Sequence, residues 1–207
     1  MNLRPKDWPI DIAPAGAVPV SLEEAKLHLR VDHSSEDALI EALIGAAIDH
    51  AERFTGLTIT PRVREVAYDA FPEADEGLDL GTWPVHDAQI SFTADGAEDV
   101  VSSSSEAVLE VELDTYVRPA VITATSWPTA DARASAVRVS FTAGFQSASD
   151  STDEPDLLPL PDGIRAAILL MVGHLYASRE ATSERMVEVP FGIDALLRPH
   201  RLLLGMA

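Results

Sequence analysis

Apolar positions recur along this chain at two different periods, and the change from one to the other divides it. Leu39, Ile40, Leu43, Ile44, Ala47, Ile48, Ala51 and Phe54 follow i, i+3, i+4, i+7 spacing, which predicts an amphipathic helix running to about Thr55. Gly56 stands where a left-handed C-terminal glycine belongs, and Pro61 follows. Upstream, Ser21 and Glu24 have the spacing of a capping box, and a short helix is expected from Leu22 to about Arg30 with Leu22, Ala25, Leu27 and Leu29 as its apolar positions. Val31-Asp32-His33 breaks it, and Ser34 or Ser35 is expected to cap the longer helix, with Glu36 and Asp37 favourable in its first turn.

From 62 to 145 the period falls to two. Val63 to Phe71, Leu78 to Val85, Ala88 to Thr93, Val108 to Val117, Val121 to Ala124 and Val137 to Phe141 read as short strands, with Asp95-Gly96 as a hairpin turn. Ser102–Ser105 and Thr129–Ala134 read as loops, and 144–161 as a polar, proline-bearing connection. Helical character returns from Pro161 or Asp162 to about Arg179. The centre of that helix, Ile168 to Val172, is apolar on every side, which predicts burial all round or contact with another subunit. Gly192 to Leu197 suggests a further short helical turn, broken by Pro199. The predicted fold is α+β: a bundle of about three main helices, an inserted antiparallel β-domain and extended terminal arms. Its parts are an N-terminal arm (1–20), a helical core (21–61 and 160–198), the β-domain (62–145), a linker (146–159) and a C-terminal docking tail (199–207).

Charge is distributed unevenly over this frame. Acids outnumber bases 34 to 15, a formal charge of −19, which disfavours a protein that clamps nucleic-acid phosphates. Between Arg64 and Arg118 there are 53 residues without a lysine or arginine, and they hold 14 acids. Val139 to Ile164 is a second base-free stretch, whereas the last ten residues carry Arg198, His200 and Arg201 and no acid. The chain is thus an acidic body with a small basic, leucine-rich end. A solvated acidic surface that maintains solubility is the simplest account of that body. No apolar run reaches the ~18 residues of a membrane span, and the first residues lack a signal-peptide core, so the expected place is the cytoplasm or an assembly built there.

Chemistry is sparse. The absence of cysteine excludes disulfides, a thiol nucleophile and thiolate metal sites. Neither a phosphate loop, a dinucleotide fingerprint, a nucleophile elbow nor a zinc-protease motif occurs. His28 and His33, with Asp32, are the closest histidine set for a metal, although surface histidines are the default. Asp150, Asp153, Glu154 and Asp156 have calcium-loop character, but Pro155 occupies the position that needs glycine. With 34 acids, paired carboxylates for acid–base work carry no signal alone. Trp8, Trp83 and Trp127 fit sugar platforms or, more simply, core and interface anchors. No cofactor or metal is expected.

Two segments carry a resemblance: VSLEEAKLHLRVDHSSEDALIEALIGAAIDHAERFTGL from Val20 to Leu57, and LPDGIRAAILLMVGHLYASREA from Leu160 to Ala181 followed by PFGIDALLRPHR from Pro190 to Arg201. Together they resemble the head–tail connector (adaptor) proteins of long-tailed phages and phage-like gene transfer agents. The order matches too: a helical hairpin, a β insertion, a proline-started apolar helix and a "LLxPxR" ending. The resemblance covers about a third of the chain directly and the rest by layout.

It implies a structural, non-enzymatic protein of the virion neck, assembled in the bacterial cytoplasm. Such a protein forms a ring of about twelve copies between the portal protein and a tail-side stopper or terminator protein, with DNA passing through the lumen unbound. On that reading Leu196, Leu197, Arg198, Arg201, Leu202, Leu203 and Leu204 contact the portal. Ile168, Met171, Val172 and Tyr176 pack in or between subunits, and Trp83 and Trp127 belong to the tail-side surface. The competing readings are a small carboxylate-dependent hydrolase or carbohydrate-binding module, which needs a pocket with converging acids, and an acidic DNA mimic, which needs a basic protein partner and fails in salt.

Overall fold

In the computed structural model the described residues are 3–5, 9–13, 16, 18–73, 76–94, 97–103, 106–107, 111–114, 117–131, 133–146, 158–178 and 191–202. Among them are four α-helices, α1 (Leu22–Leu29), α2 (Asp37–Thr55), α3 (Asp162–Ala177) and α4 (Phe191–Leu197), followed by a 3-10 turn at Arg198–His200. The fold class is α+β, with four helices where the periodicity predicted three main ones and a helical turn. No helix among the described residues is long and apolar enough to cross a membrane.

The chain divides into two compact units. The helical unit comprises Ala17–Thr60 and Phe145–Arg201. Its core is the packing of α2 on α3. Ile40, Ile44, Ala47, Ile48 and Ala51 bury one stripe of α2, and Ile164, Ala167, Ile168, Met171 and Val172 bury one stripe of α3. Of the two outcomes expected of α3, burial all round within the chain is not what forms: Leu170, at 44% exposure, lies off that stripe, which leaves contact with another subunit as the other. Likewise Leu39 is 39% and Leu27 81% exposed, because each falls outside the arc that its helix turns inward.

Capping follows half of the expected scheme. The Glu24 N–H donates to Ser21 Oγ at 3.1 Å. The Glu24 carboxylate does not return to the backbone; it accepts from Arg165 Nη1 at 2.8 Å, joining α1 to α3. Neither Ser34 nor Ser35 caps α2, whose N-cap is Glu36 without a side-chain capping bond. The Ser35 hydroxyl is engaged instead by His33 Nδ1 at 2.9 Å. Gly56 (φ 78°) ends α2 in the left-handed region as expected, its N–H donating to Glu52 O at 2.8 Å. Beyond it, Glu52 Oε1 accepts from the Ile59 and Thr60 amides at 2.7 and 3.1 Å. Phe145, placed in the polar connection by sequence, is instead fully buried and its amide bonds Ile59 O at 3.0 Å.

The β unit comprises Met1–Gly16, Pro61–Gly144 and Leu202–Ala207. Its strands are β1 (Ile10–Asp11), β2 (Arg62–Tyr68), β3 (Leu78–Asp79), β4 (Val85–Ala94), β5 (Ala97–Ser103), β6 (Glu106–Ala107), β7 (Val111–Asp114), β8 (Val121–Ala124) and β9 (Val137–Ala143). One antiparallel sheet runs β1-β2-β9-β4-β5-β6 and a second runs β3-β8-β7. Strand β9 is the spine of the larger sheet. It pairs with both β2 and β4, and Val137, Val139, Phe141 and Ala143 alternate inward along it. Ala94 pairs with Ala97 across the predicted hairpin, whose Asp95 and Gly96 lie outside the described residues. Ser102 and Ser103, expected in a loop, belong to β5. Of the strand expected over Val108–Val117, Val111–Asp114 forms β7 and Val117 lies in a bend, while 108–110 and 115–116 lie outside the described residues. Where the sequence suggested an extended arm, Ile10 and Asp11 form an edge strand on β2, and Asp11 bridges Arg62 and Arg64 at 3.0 Å each.

Asp79 is a buried carboxylate in this unit, 6% exposed. Its Oδ1 accepts from the Gly81 amide at 2.8 Å and Arg4 Nε approaches Oδ2 at 3.7 Å. Burial nevertheless raises its pKa, the Gly81 bond and Arg4 offsetting only part of that. Tyr68 donates to Asp79 O at 2.7 Å, and burial with the nearby Asp79 charge raises the phenol as well. An acid whose folded pKa is raised favours folding in its protonated form, so this contribution is present at low pH and is lost as pH climbs through the raised value. Asp79→Asn keeps an acceptor for Gly81 and removes the charge. It is expected to be at least as stable as the parent at about pH 7 and to flatten the decline that sets in above the ordinary carboxylate range, read from urea midpoints. Asp79→Ala, which orphans the Gly81 amide, is expected to be about 1 kcal/mol less stable than Asp79→Asn; equal stability of the two variants would remove this account.

Candidate docking surfaces

Among the described residues no group of three or more His, Cys, Asp or Glu is placed to hold a metal ion. His33 bonds Ser35, while His28 packs on α3, where a Cβ added to Gly173 would lie 3.5 Å from His28 Nε2. The set His28, Asp32 and His33 is therefore not brought together. Asp150, Asp153, Glu154 and Asp156 lie outside the described residues, as does Trp8.

The two remaining tryptophans have partners on their rings. Trp127 donates from Nε1 to Glu76 O at 3.0 Å and stacks on Phe71, with ring centroids 5.2 Å apart. Phe71 in turn meets Phe92 edge-on at 5.4 Å, so Trp127 anchors an aromatic cluster. Trp83 is 7% exposed, and the Arg118 guanidinium lies over its ring, Cζ 3.9 Å from the centroid. Trp83 therefore has no open face for a sugar, and Phe71 occupies one face of Trp127. Arg118 itself is exposed, and the sequence reading used it only as the end of the base-free run. The available signal was there: a lone cation that closes 53 residues holding 14 acids.

The C-terminal segment departs from a free tail as far as it is described. Ile193 and Leu197 sit four apart on one face of α4 and are buried at 1% and 0% exposure, and α4 packs on α3. That pairing makes folding onto the chain's own helices favourable. Leu196 is half-buried and Leu202 is buried, whereas Arg198 is exposed. His200 follows closely on α3, since a Cβ on Gly163 would meet its Nε2 at 3.0 Å. Arg201 is exposed with its guanidinium 5.8 Å from the Phe54 ring centroid. Leu203 and Leu204 lie outside the described residues. Of the set assigned to portal contact, the two arginines therefore face solvent and Leu197 and Leu202 are anchors.

The set assigned to subunit packing is placed similarly. Ile168, Met171 and Val172 are buried within the chain itself. Tyr176 is half-buried, and its hydroxyl donates to the Glu36 carboxylate, joining the end of α3 to the start of α2. The apolar surface that α3 leaves open is Leu170.

The fold has known counterparts. A chain from the neck of an empty gene transfer agent particle, computed with C6 symmetry, matches with 24% identity and a TM-score of 0.71, over 97% of this chain and 98% of that one. A chain from the virion of a native gene transfer agent particle matches at 23% identity and TM-score 0.68, over 96% and 97%. One from the neck of a native particle computed with C12 symmetry matches at 22% identity and TM-score 0.65, over 97% and 98%. At these identities the likeness is one of fold. No curated protein matches the chain. The model of the phage gp6-like head-tail connector protein family matches residues 19–126, more than half of the 207. That span covers α1, α2 and strands β2 to β8, the helical hairpin together with most of the β unit, and on it the chain belongs to the phage gp6-like head-tail connector protein family.

Proposed function

We propose that this chain is a structural head–tail adaptor that assembles as a ring of about twelve copies between portal and tail, extends the DNA channel and performs no covalent chemistry. The observation that carries this reading is the connector family match over residues 19–126, in a chain whose whole fold resembles chains of gene transfer agent necks. The C6 and C12 symmetry of those neck structures supports a closed ring. The charge of −19 suits a channel wall, because carboxylates repel the phosphates of passing DNA where arginines would hold them. The proposed location is the neck of a virion or phage-like particle assembled in the bacterial cytoplasm.

Within this reading the portal protein is met by the C-terminal segment. Exposed Arg198 and Arg201 make the contact, Leu196, Leu203 and Leu204 add apolar surface, and buried Leu197 and Leu202 hold the segment in position. Residue 199 onward serves as the docking tail, 1–20 as an arm and 146–159 as the linker. The subunit seam includes the exposed face of α3, with Ile168, Met171, Val172 and Tyr176 supporting that helix from behind. The tail-side component, a stopper or terminator protein, meets the β unit near Trp83 and Trp127.

Electron microscopy of the purified chain, alone and mixed with its portal protein, is expected to show rings or portal-capped rings. A chain that stays monomeric and ignores the portal would overturn the reading. The double variant Arg198→Glu/Arg201→Glu is expected to bind portal at least about tenfold more weakly, with its melting temperature little changed because both side chains are exposed. On α3 the two kinds of leucine-sized position separate. Ile168→Ala is expected to lower the unfolding free energy of the monomer by about 2–5 kcal/mol. Leu170→Ser is expected to stay within about 0.5 kcal/mol of the parent while weakening ring formation, measured by urea unfolding and mass photometry.

A further inference from the structure

Two loops of the β unit are tied edge to edge. The Leu80 amide donates to Ala120 O at 2.9 Å, and the Ala120 amide donates to Thr82 O at 3.0 Å. The first loop continues into Trp83 and the second begins with Val117 and Arg118, so the ties place the guanidinium over the indole at 3.9 Å. The second loop is braced from its start, where the Val117 amide donates to Asp114 Oδ1 at 3.2 Å. The result is a cation held on a nearly buried ring, 7% exposed, beside an open apolar side chain, Val117, at 44%.

Arg118 differs from the ion-paired cations of the chain in what it touches. Lys26, Arg53, Arg62, Arg64 and Arg165 each pair with a carboxylate of the same chain. Arg118 has no carboxylate partner among the described residues, although the 53 residues before it hold 14 acids. Stacking engages the face of a guanidinium and leaves the N–H donors at its edge, in a planar fork that matches a carboxylate. The tryptophan also removes much of the side-chain freedom that a partner would otherwise have to freeze. Arginine on an aromatic support is the composition of an interface hot spot.

The net charge indicates which partner. Copies each carrying −19 repel one another when set side by side, so a seam between them needs a cation facing the neighbour's acids. We propose that Arg118, positioned by Trp83 and flanked by Val117, binds a carboxylate on the acidic surface of an adjacent copy of this chain and forms part of the subunit seam. This inference rests on the ring reading. A lone cation amid acids is poorly placed for DNA phosphate, which the same surroundings repel.

The test uses the full chain. Sedimentation velocity over a concentration series, with and without portal, compares the parent with Arg118→Ala, Arg118→Glu and Arg118→Lys. The alanine and glutamate variants are expected to assemble at least about tenfold more weakly, and lysine to fall between, since it keeps the charge and loses the stacked fork. Thermal melts of all four are expected to agree within a few degrees, because Arg118 is exposed and its removal costs the chain only the contact with Trp83. Added salt should weaken the parent most and narrow the differences. Equal assembly by all four chains overturns the inference and leaves the ring reading standing. A loss confined to retention of duplex DNA, with assembly unchanged, assigns Arg118 to phosphate and overturns it too. A parent chain that assembles under no condition, with portal or without, overturns the ring reading and this contact together.

Discussion

The packing of α2 against α3 is the constraint from which the helical unit follows. The two helices are separated in sequence by more than a hundred residues, from Thr55 to Asp162. Bringing them together costs loop-closure entropy, though that cost rises only slowly with length. Five buried aliphatic or small residues on α2 and five on α3 provide the apolar area that opposes it. Local bonds then narrow the opening through which the β unit is inserted. Glu52 accepts the amides of Ile59 and Thr60 as the chain leaves α2, and the returning Phe145 amide bonds Ile59 O. Exit and entry strands are therefore adjacent, and an insertion of this length does not pull the two helices apart.

Polar ties set the remaining elements around that pair. Arg165 reaches from α3 to both Glu24 and Pro19 O, Lys26 reaches Asp37, and Tyr176 reaches Glu36. All of them are partly buried, where such contacts are stronger than on an open surface but also costly if one partner is missing. α1 is short, with Ala25 its one buried residue. An eight-residue helix is marginal alone, so its position depends on these side-chain anchors as much as on its apolar face.

The helices and the alternation in β9 were legible because periodicity is a property of neighbouring residues. Gly56 was legible because the left-handed region admits few side chains. The caps were not fully legible. Glu24 has the right spacing to return to Ser21, but Arg165, 141 residues away, offers its carboxylate a charged partner. Ser35 was similarly drawn away by His33. Phe145 was misplaced because its flanks are polar while its burial depends on distant contacts. Leu170 was not singled out, because composition cannot say which side of an apolar helix remains open. For the docking surfaces the resemblance gave the class of partner, and no periodicity marked the residues. The sequence marks Arg118 as the cation that closes the base-free run, but its support by Trp83, 35 positions earlier in the chain, came from the fold.

A channel wall and a subunit seam make opposite demands on one acidic chain. The wall works best when every cation is neutralised or turned away, and several here are neutralised: Asp11 pairs with both Arg62 and Arg64, and Arg165 is closed by Glu24. The seam needs attraction, and uniform acid supplies none. Scattered mobile lysines would serve the seam poorly and would also catch DNA, since a flexible ammonium reaches whichever anion approaches. A few guanidiniums with fixed direction avoid both problems. Arg118 is directed by Trp83, and Arg201 lies by Phe54 at the end of the helical unit. Each is an arginine on an aromatic ring rather than a lysine on a flexible stem, the choice expected where position matters more than charge. In the proposed ring, specificity therefore comes from where a small number of cations are held, and the surplus of acid keeps every other approach unfavourable.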